Sequence, residues 1–215
     1  MRRTGRMTPG QQRALRDLWP RYGVRHSSGP LCLDELFGRS ASRVLEIGFG
    51  DGEALVAQAT ASPETDYLGI EVHEPGVGHC LLLAANADLS NLRVIMRDAM
   101  EVMQQQIPDE ALSRINLYFP DPWPKRRHHK RRILQPTFLS LAAQKLQPGG
   151  PLHVATDSAS YAEHIDALIA AQELFELSER REHGGENALD RLTTKFEKRG
   201  LRRGHRIWDW RLVRI

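Results

Sequence analysis

Three glycines at alternate positions, Gly48, Gly50 and Gly52, follow a short apolar segment, Arg43–Ile47, and precede a helical pattern. A glycine turn between a strand and a helix lets a ligand approach the backbone closely. Glu46 lies two residues before the first glycine, and a carboxylate there would repel a pyrophosphate resting on the loop. It would attract a cationic ligand instead. The loop therefore favours a positively charged cofactor, with a backbone-capping role for Glu46 as the alternative.

Two further acids follow the next predicted strands. Glu71 ends the second strand, 21 residues after Gly50, and Asp98 follows the third. An acid in the first of these positions usually binds ribose hydroxyls, and Asp98 is placed to reach an adenine amino group. Each acid alone could be a surface carboxylate. Acids at three successive strand ends, where open α/β sheets bind ligands, predict S-adenosylmethionine as the cofactor.

A proline-rich turn, Pro120-Asp121-Pro122-Trp123, ends the fourth predicted strand. The two prolines stiffen the chain around Asp121 and fix where its carboxylate and the Trp123 indole point. Rigid placement of this kind suits a reactive centre. A purely structural turn with a buried tryptophan is the alternative.

A run of six bases and two histidines without an acid, Lys125–Arg132, follows this turn. Basic residues so close to a predicted methyl donor indicate that the methyl acceptor is itself a nucleic acid. The paired histidines come without spaced Cys, Asp or Glu ligands, so we predict no metal site.

The positive charge of the chain is segregated. The formal net charge is +3, but the segments 1–16, 124–132 and 195–206 hold 17 of the 30 Lys and Arg residues with a single acid, Glu197. Basic segments on an otherwise acidic body are typical of a polyanion-binding protein, and RNA or DNA is the obvious partner. Three solvated basic loops are the alternative.

Strand patterns alternate with helical patterns between residues 43 and 174, which predicts a parallel sheet covered on both faces. The predicted strands are 43–47, 66–72, 92–96, 115–119 and 152–156, and the predicted helices are 11–19, 53–60, 75–88, 99–106, 135–145 and 160–174. Two last strands, 175–182 and 206–215, are expected to form an antiparallel hairpin at the sheet edge, joined by a polar, basic loop. The predicted fold is a doubly wound α/β domain.

Length and composition limit the class of protein. The 215 residues predict a basic N-terminal tail, 1–20, that is partly disordered, and a single domain over 21–215. No apolar stretch approaches the ~20 residues of a membrane span. Cys32 and Cys80 lack a nearby second thiol, which argues against a disulfide scaffold and favours a reducing cytoplasm. The sequence leaves the oligomeric state open, and we favour a monomer.

The chain resembles the bacterial tRNA (guanine-N7-)-methyltransferase family from near its start to its end. The similarity is strongest in YFPDPWPKRRHHKRRI (118–133) and TKFEKRG (194–200), which are far more specific than the glycine loop. The other matching segments are GRMTPGQQRAL (5–15), LEIGFGDG (45–52), GIEVHEPGVG (69–78), NLRV..RDAMEV (91–102), ATD (155–157), YAEH (161–164) and GHRIWDW (204–210). The resemblance implies a Rossmann-like class I methyltransferase fold and methyl transfer to N7 of a variable-loop guanosine in tRNA.

The resemblance also implies roles for individual residues. Asp121 is the residue usually assigned to catalysis. The residues expected around S-adenosylmethionine are Glu46, Gly48, Gly50, Gly52, Glu71, Asp98 and Asp121. The residues expected around the substrate guanosine are Lys125, Asp157, Thr194, Lys195, Phe196 and Glu197. Those expected along the RNA backbone are Arg126, Arg127, His128, His129, Lys130, Arg131 and Arg132.

The chemistry agrees with this assignment. Guanine N7 already presents a lone pair and carries no proton, so no strong general base is required. We therefore expect Asp121 to orient the base or the cofactor rather than to abstract a proton. Glu197 could accept the N1–H and N2–H donors of guanine and so select guanine over adenine. A salt bridge from Glu197 to a nearby arginine explains it equally well.

Aromatic residues leave a similar choice. Phe196 and Trp123 could stack on the base or belong to the core. Trp208 and Trp210 share one face of the last strand, where core packing is favoured.

Three rival classes are disfavoured. A dinucleotide-dependent oxidoreductase conflicts with Glu46 and with glycines spaced at alternate positions. A DNA amino-methyltransferase would carry an acid or asparagine followed by two prolines, whereas the order here is Pro-Asp-Pro-Trp. It would also need a separate DNA-recognition domain, for which 215 residues leave no room. A non-catalytic RNA-binding module would not need Glu46, Glu71 and Asp98 together.

Overall fold

The computed structural model describes residues 7–25, 29–184 and 191–215. The chain divides into two units, Met1–Pro108 and Asp109–Ile215, each described in turn below. Residues 1–6 of the predicted N-terminal tail lie outside the described residues. The division into a tail, 1–20, and one domain, 21–215, stays a prediction.

The first unit contains a parallel sheet with helices between its strands. Its elements are α1 (Pro9–Asp17), α2 (Trp19–Tyr22), α3 (Leu33–Phe37), β1 (Arg43–Ile47), α4 (Glu53–Ala61), β2 (Asp66–Ile70), α5 (Glu74–Asn86), β3 (Leu92–Ile95) and α6 (Ala99–Gln105). The strand order is β3-β2-β1, with Leu45 opposite Leu68 and Gly69 opposite Val94. All three strands therefore end at the same edge, which brings their carboxyl-terminal residues together.

The core of the first unit packs α1, α4 and α5 against these strands. Leu55, Leu81 and Leu92 are fully buried within it. The side chain of Tyr22 is also buried, and its hydroxyl donates to the carbonyl of Ala84 in α5. The short N-terminal helices therefore belong to the packed core of this unit.

The second unit contains a mixed sheet. Its elements are β4 (Arg114–Tyr118), a 3₁₀ helix (Arg126–Arg131), α7 (Pro136–Lys145), β5 (Pro151–Thr156), α8 (Ala159–Ala170), β6 (Phe175–His183), α9 (Lys195–Arg202) and β7 (Ile207–Arg214). The strand order is β4-β5-β7-β6. β4 and β5 are parallel, whereas β7 is antiparallel to both β5 and β6. The predicted C-terminal hairpin at a sheet edge is confirmed.

Most predicted strands and helices are confirmed with ends that differ by a few residues. The predicted helix 11–19 instead begins at Pro9, where Thr8 and Gln11 form a capping box, and ends at Asp17. A separate turn, α2, follows with a proline in its first positions. The predicted helix 160–174 ends earlier, at Ala170, because the side chain of Gln172 caps the start of β6.

Four elements were not predicted: α2, α3, the 3₁₀ helix and α9. The last of these lies in the segment that was expected to be a polar loop. Trp210 is fully buried, as expected from the alternation along β7, whereas Trp208 is half-buried. No helix in the described ranges is long and apolar enough to cross a membrane.

Candidate functional site

The backbone of the glycine loop adopts φ angles that are unfavourable for residues with a Cβ. Gly48, Gly50 and Gly52 have φ angles of +73°, +60° and +80°, a region that residues with a Cβ rarely adopt. The Gly48 amide donates to the carbonyl of Ile70 over 2.7 Å, which anchors the loop to the end of β2. Gly48 is exposed, and a Cβ added to it would meet no atom within 4 Å. The backbone is therefore open to a ligand at this position.

Helix α5 presses against the other side of the loop. A Cβ added to Gly76 would lie 2.3 Å from the carbonyl oxygen of Gly50, and one added to Gly52 would lie 2.4 Å from the Cβ of Cys80. The Nδ1 atom of His79 lies 2.8 Å from the carbonyl oxygen of Asp51. These contacts from α5 hold the glycine loop on the side opposite to the exposed Gly48. Sequence reasoning did not assign Gly76 or His79 to the site. The one signal that could have indicated Gly76 is its position in the first turn of the helix after Glu71.

Glu46 is a buried carboxylate at the end of β1. It is 3% exposed, and the Nε2 atom of Gln58 in α4 donates to its Oε2 over 3.1 Å. Burial raises the pKa of the Cys80 thiol well above its ordinary value, and the neighbouring Glu46 charge adds to this effect. A buried negative charge beside the glycine loop is the electrostatic feature expected of a site for a cationic ligand.

Glu71 ties the end of β2 to the glycine loop. Its Oε2 accepts from the Gly50 amide over 3.0 Å, while its Oε1 accepts from the amides of Val72 and His73 over 2.6 and 2.9 Å. A carboxylate has about four acceptor positions, so three backbone bonds leave it able to accept from a further hydroxyl. Glu71 thus positions the loop as well as being available to a ligand.

Asp98 lies at the N-terminus of α6, where it caps the helix. Its Oδ1 accepts from the amides of Met100 and Glu101 over 3.0 and 3.3 Å, and the residue is exposed. The carboxylate is thereby held at the same sheet edge as Glu46 and Glu71. These three carboxylates, which accept hydrogen bonds and carry negative charge, and the open backbone at Gly48 fit S-adenosylmethionine, which combines positive charge with ribose hydroxyls and an adenine amino group.

In the second unit, the turn after β4 holds Asp121 in a strained frame. Phe119 and Trp123 have φ angles of +51° and +44°, unusual for residues with a Cβ and typical of functional turns. They flank Pro120-Asp121-Pro122, and the Phe119 amide donates to the carbonyl of Ala155 in β5 over 2.7 Å. Asp121 is exposed. β4 ends before this segment, as predicted, and the rigidity that the two prolines give to it stays a prediction.

Trp123 packs against the basic 3₁₀ helix. The guanidinium of Arg131 lies 5.0 Å from the centre of its ring, and the His128 ring meets it edge-on at 5.8 Å. The indole is half-buried. Basic side chains thus occupy part of its surface, and base stacking on Trp123 stays a prediction.

The basic run divides into exposed and buried members. Five of its residues are exposed and two histidines are half-buried. The exposed members are Lys125, Arg126, Arg127, Lys130 and Arg131, and the half-buried ones are His128 and His129. The exposed members are available to an anionic partner.

Arg132 requires a correction to its expected place along the RNA backbone. It is 2% exposed, and its Nε donates to the carbonyl of Pro122 over 2.9 Å. Its Nη1 donates to the carbonyl of Ser160 over 3.2 Å, and the guanidinium lies 4.8 Å from the centre of the Tyr161 ring. This geometry favours a positioning role for Arg132 under the Asp121 turn, because a buried guanidinium with its donors engaged is unavailable to phosphate.

Asp157 follows β5 and contacts α9. A Cβ added to Gly200 would lie 2.9 Å from the Oδ2 of Asp157, and the Nδ1 atom of His205 lies 3.0 Å from the same oxygen. The absence of a Cβ at Gly200 lets α9 approach Asp157 this closely without displacing its carboxylate. The helix and His205 together fix the direction of the Asp157 carboxylate, and sequence reasoning had assigned His205 no role.

Thr194 and Glu197 form a capping box at the start of α9. The Glu197 amide donates to Oγ1 of Thr194 over 3.1 Å, and Oε2 of Glu197 accepts from the Thr194 amide over 3.4 Å. Glu197 is fully buried and forms an ion pair with Arg191. Of the two readings of Glu197, the ion pair is present in the structure. The side chains of Lys195 and Phe196 lie outside the described part of the molecule.

Arg191 connects three elements of the second unit. Its Nε and Nη2 donate to Oδ1 and Oδ2 of Asp209 in β7 over 2.6 and 3.0 Å. Its guanidinium also lies 5.5 Å and 5.4 Å from the ring centres of Tyr118 and Phe119, at the end of β4. Arg191 therefore links Glu197 to the strand that leads into the Asp121 turn.

The buried ions of this cluster shift each other's protonation. Burial alone would raise the pKa of Asp209, but the His153 ring, 3.5 Å away, and hydrogen bonds from Arg191 and His183 outweigh it and hold that pKa well below its ordinary value. Burial alone would lower the pKa of Arg191, but Asp209 and Glu197 outweigh it and raise that pKa. Both members of the pair are thus charged at neutral pH. Within the described ranges, no three His, Cys, Asp or Glu side chains are placed to hold a metal ion.

Comparison with known proteins identifies the family. A family model described as "Putative methyltransferase" matches residues 40–210. The tRNA (guanine-N(7)-)-methyltransferase of Halorhodospira halophila is 55% identical over 210 residues, which are 97% of this chain and 91% of the relative. The protein of the same name from Nitrosococcus oceani is 49% identical and covers 100% of this chain and 89% of its own.

Solved structures show the fold. The 16S rRNA methyltransferase KamB matches with a TM-score of 0.67 at 17% identity, covering 90% of this chain and 98% of its own. A variant 16S rRNA (adenine(1408)-N(1))-methyltransferase of Catenulisporales acidiphilia, determined with its cosubstrate SAM, matches with a TM-score of 0.57 at 16% identity, covering 84% and 89%. The predicted Rossmann-like methyltransferase fold is confirmed. From its sequence and its fold, the chain belongs to the tRNA (guanine-N7-)-methyltransferase family.

Proposed function

We propose that this protein transfers a methyl group from S-adenosylmethionine to N7 of a guanosine in the variable loop of tRNA, forming 7-methylguanosine. The observation that supports this most directly is the glycine loop, which has an open backbone at Gly48 and carboxylates on either side at Glu46 and Glu71. Such a loop suits a cationic nucleoside cofactor and would repel a dinucleotide pyrophosphate.

In the first unit, we assign the cofactor to the loop and to the three strand-end acids. Glu46 attracts its positive charge, Glu71 accepts from ribose hydroxyls and Asp98 accepts from the adenine amino group. S-adenosylmethionine supplies a methyl group on positively charged sulfur. The residues that hold it do not change protonation during the reaction, because no proton leaves guanine N7.

In the second unit, we assign Asp121 to the reacting base. The N7 lone pair forms the new bond to the methyl carbon while the carbon–sulfur bond breaks and its electrons stay on sulfur. Correct orientation of the reacting atoms can contribute about 7–11 kcal/mol to such a step. The methylated ring gains positive charge, which the carboxylates of Asp121 and Asp157 stabilise. The strained turn at Phe119 and Trp123 keeps Asp121 in place for this role.

We assign guanine recognition to the substrate residues predicted from the sequence. The geometry adds one restriction: Oε2 of Glu197 is engaged by Arg191 and the Thr194 amide, whereas its buried Oε1 has no hydrogen-bond partner among the described residues. A buried acceptor without a partner is costly. A guanine N–H that reaches this oxygen would remove that cost, and because Glu197 is fully buried, such contact requires the chain that covers it to move. Lys125, Asp157, Thr194, Lys195 and Phe196 complete the proposed set.

The decisive experiment is methyl transfer from labelled S-adenosylmethionine to unmodified tRNA, with the product nucleoside identified by mass spectrometry. We expect 7-methylguanosine, its loss in Asp121→Ala, and normal activity in the control Glu163→Ala, which removes an exposed acid on α8. Labelling of a different base would contradict the proposed acceptor. Failure to bind S-adenosylmethionine would contradict the whole proposal, beginning with the assignment of Glu46 to the cofactor.

A ligand comparison tests the cofactor independently. S-adenosylmethionine should raise the Tm of the protein by mass action, and NAD at the same concentration should not. The proposal also includes a cytoplasmic location and a monomeric state, the second of which sedimentation at several protein concentrations will test.

A further inference from the structure

Helix α9 presents a strongly cationic face. Thr194, Glu197 and Gly200 are buried, whereas Lys198, Arg199 and Arg202 are exposed, as the spacing of inward and outward positions on a helix requires. The next residue, Arg203, is exposed as well. Four cations therefore lie together on and just beyond the outward side of this helix. We refer to them as the α9 face.

The fold removes negative charge from this face. Glu197 is the sole acid among the bases of 195–206, and it points inward to Arg191. Among the residues that the structure describes, none of the four cations of the α9 face forms an ion pair. Exposed arginines elsewhere in the same unit do: Arg180 pairs with Asp166, and Arg206 pairs with Glu182.

The cations of the α9 face repel one another in the free protein. Lys198 and Arg202 are four residues apart, and so are Arg199 and Arg203. Like charges at this spacing on a helix repel each other and destabilise it. Arg199 and Arg202 lie in the last turn of α9, where the helix dipole offsets only part of this repulsion. A bound polyanion would relieve the repulsion, because phosphate groups neutralise such cations while displacing their own counterions.

The α9 face lies beside the residues proposed to bind guanosine. Gly200 and His205 contact Asp157, immediately after β5. The basic 3₁₀ helix follows β4, which pairs in parallel with β5 and places Tyr118 opposite Ala155. The 3₁₀ helix thus follows the carboxyl end of β4, and α9, which precedes β7, contacts the residue after the carboxyl end of β5. Both basic segments therefore lie at the same edge of the sheet of the second unit.

We propose that the α9 face is a second contact surface for the phosphate backbone of the tRNA, separate from the 3₁₀ helix. This inference rests on the proposed function, which makes tRNA the substrate. RNA bound across the ends of β4 and β5 would contact the 3₁₀ helix on one side of the reacting base and the α9 face on the other. Arginine suits this role because its planar guanidinium makes paired hydrogen bonds to phosphate.

The test is the salt dependence of tRNA binding. We compare the double variant Arg199→Gln/Arg202→Gln with the charge-matched control Arg21→Gln/Arg180→Gln, whose arginines are exposed and paired with Asp88 and Asp166. For each protein, the Kd for an unmodified tRNA transcript is measured over a range of salt concentrations. Loss of each phosphate contact should make the slope of log K against log salt shallower by about 0.7–0.9.

We expect a shallower slope and weaker binding in the α9 variant, a parental slope in the control, and an unchanged Kd for S-adenosylmethionine in both. Arg199→Lys/Arg202→Lys should restore the slope because it restores the charge. A parental slope in the Gln variant, or an equal change in the control, would overturn the inference. Methylation of tRNA by the parent protein tests the proposed function separately, so the two failures are distinguishable.

Discussion

Arg191 and Asp209 form a two-point ion pair from which water is excluded: the Arg191 side chain is 1% exposed and that of Asp209 is 0% exposed. The same guanidinium bonds Glu197 at the start of α9 and lies against the rings of Tyr118 and Phe119 at the end of β4. A residue in the loop before α9 thereby sets the position of two segments to which we assign substrate contacts.

Replacing Arg191 by methionine should destabilise the protein strongly. The substitution leaves the carboxylates of Asp209 and Glu197 buried without their cation, and breaking a buried pair in this way costs about 3–5 kcal/mol. Urea unfolding measures the loss. The control Glu101→Gln breaks an exposed ion pair between Glu101 in α6 and Arg97, which precedes that helix. This change should cost about 0.5 kcal/mol or less. Equal unfolding midpoints for the two variants would contradict the role of Arg191.

The stability of the fold should decrease on the acid side of neutrality, partly because of His153. Burial is the main reason that the pKa of His153 lies below its ordinary value of 6.5. The folded state therefore binds fewer protons than the unfolded state, and the stabilisation present above pH 6.5 is lost as the pH falls through the folded pKa. His153→Gln should show a smaller difference in unfolding free energy between about pH 7.5 and 5.5 than the parent. An unchanged difference would exclude His153 as a source of the acid sensitivity.

Much of the structure around the glycine loop could be predicted from the sequence. The glycines Gly48, Gly50 and Gly52 mark a turn by their type alone, and Glu71 and Asp98 follow strands whose apolar pattern is plain. Parallel strands end at one edge, so spacing along the chain translates directly into proximity. The bracing of the loop by Gly76 was not predicted because a glycine in a helix does not indicate what it packs against.

The second unit was less predictable because its contacts join distant segments. Arg191 meets Asp209 across 18 residues, and neither charge differs in type from those on a solvated surface. Arg132 was counted with its exposed neighbours because a basic run does not show which member turns inward. Helix α9 did carry a local signal, since Thr194 and Glu197 have the spacing of a capping box, but the surrounding bases favoured a loop.

Substitution of Gly76 by alanine should weaken cofactor binding specifically. The added Cβ would lie 2.3 Å from the Gly50 carbonyl oxygen, and relief of this contact displaces the glycine loop. Overpacking of this kind costs about 1–3 kcal/mol, which, if it falls on the bound state, corresponds to a rise of about 5- to 150-fold in the Kd for S-adenosylmethionine. Calorimetry measures the Kd. Gly29→Ala is the matched control because a Cβ there meets no atom within 4 Å; equal effects of both variants would contradict the bracing of the loop by α5.

Replacement of Arg132 by lysine separates positioning from RNA contact. Lysine cannot donate to both Pro122 and Ser160 in the geometry that the guanidinium uses, so the Asp121 turn should shift. A displacement of about 1 Å near a reacting centre costs roughly 10²-fold in rate. We expect a lower single-turnover rate with an unchanged Kd for tRNA. The exposed Arg127, replaced by glutamine, should give the reverse pattern. Weakened tRNA binding in Arg132→Lys at an unchanged rate would restore the RNA-contact assignment.

The role of Asp121 is tested by its charge rather than its size. If the carboxylate orients the base and stabilises the positive charge that develops on guanine, Asp121→Asn should lower the single-turnover rate by about 10²-fold. The pH profile of the variant should run parallel to that of the parent, because no proton is removed from N7 in the reaction. Binding of tRNA and cofactor is measured in the same protein to show that the substrates are still held. An acidic inflection in the parent that disappears in Asp121→Asn, at normal binding, would instead assign proton chemistry to Asp121.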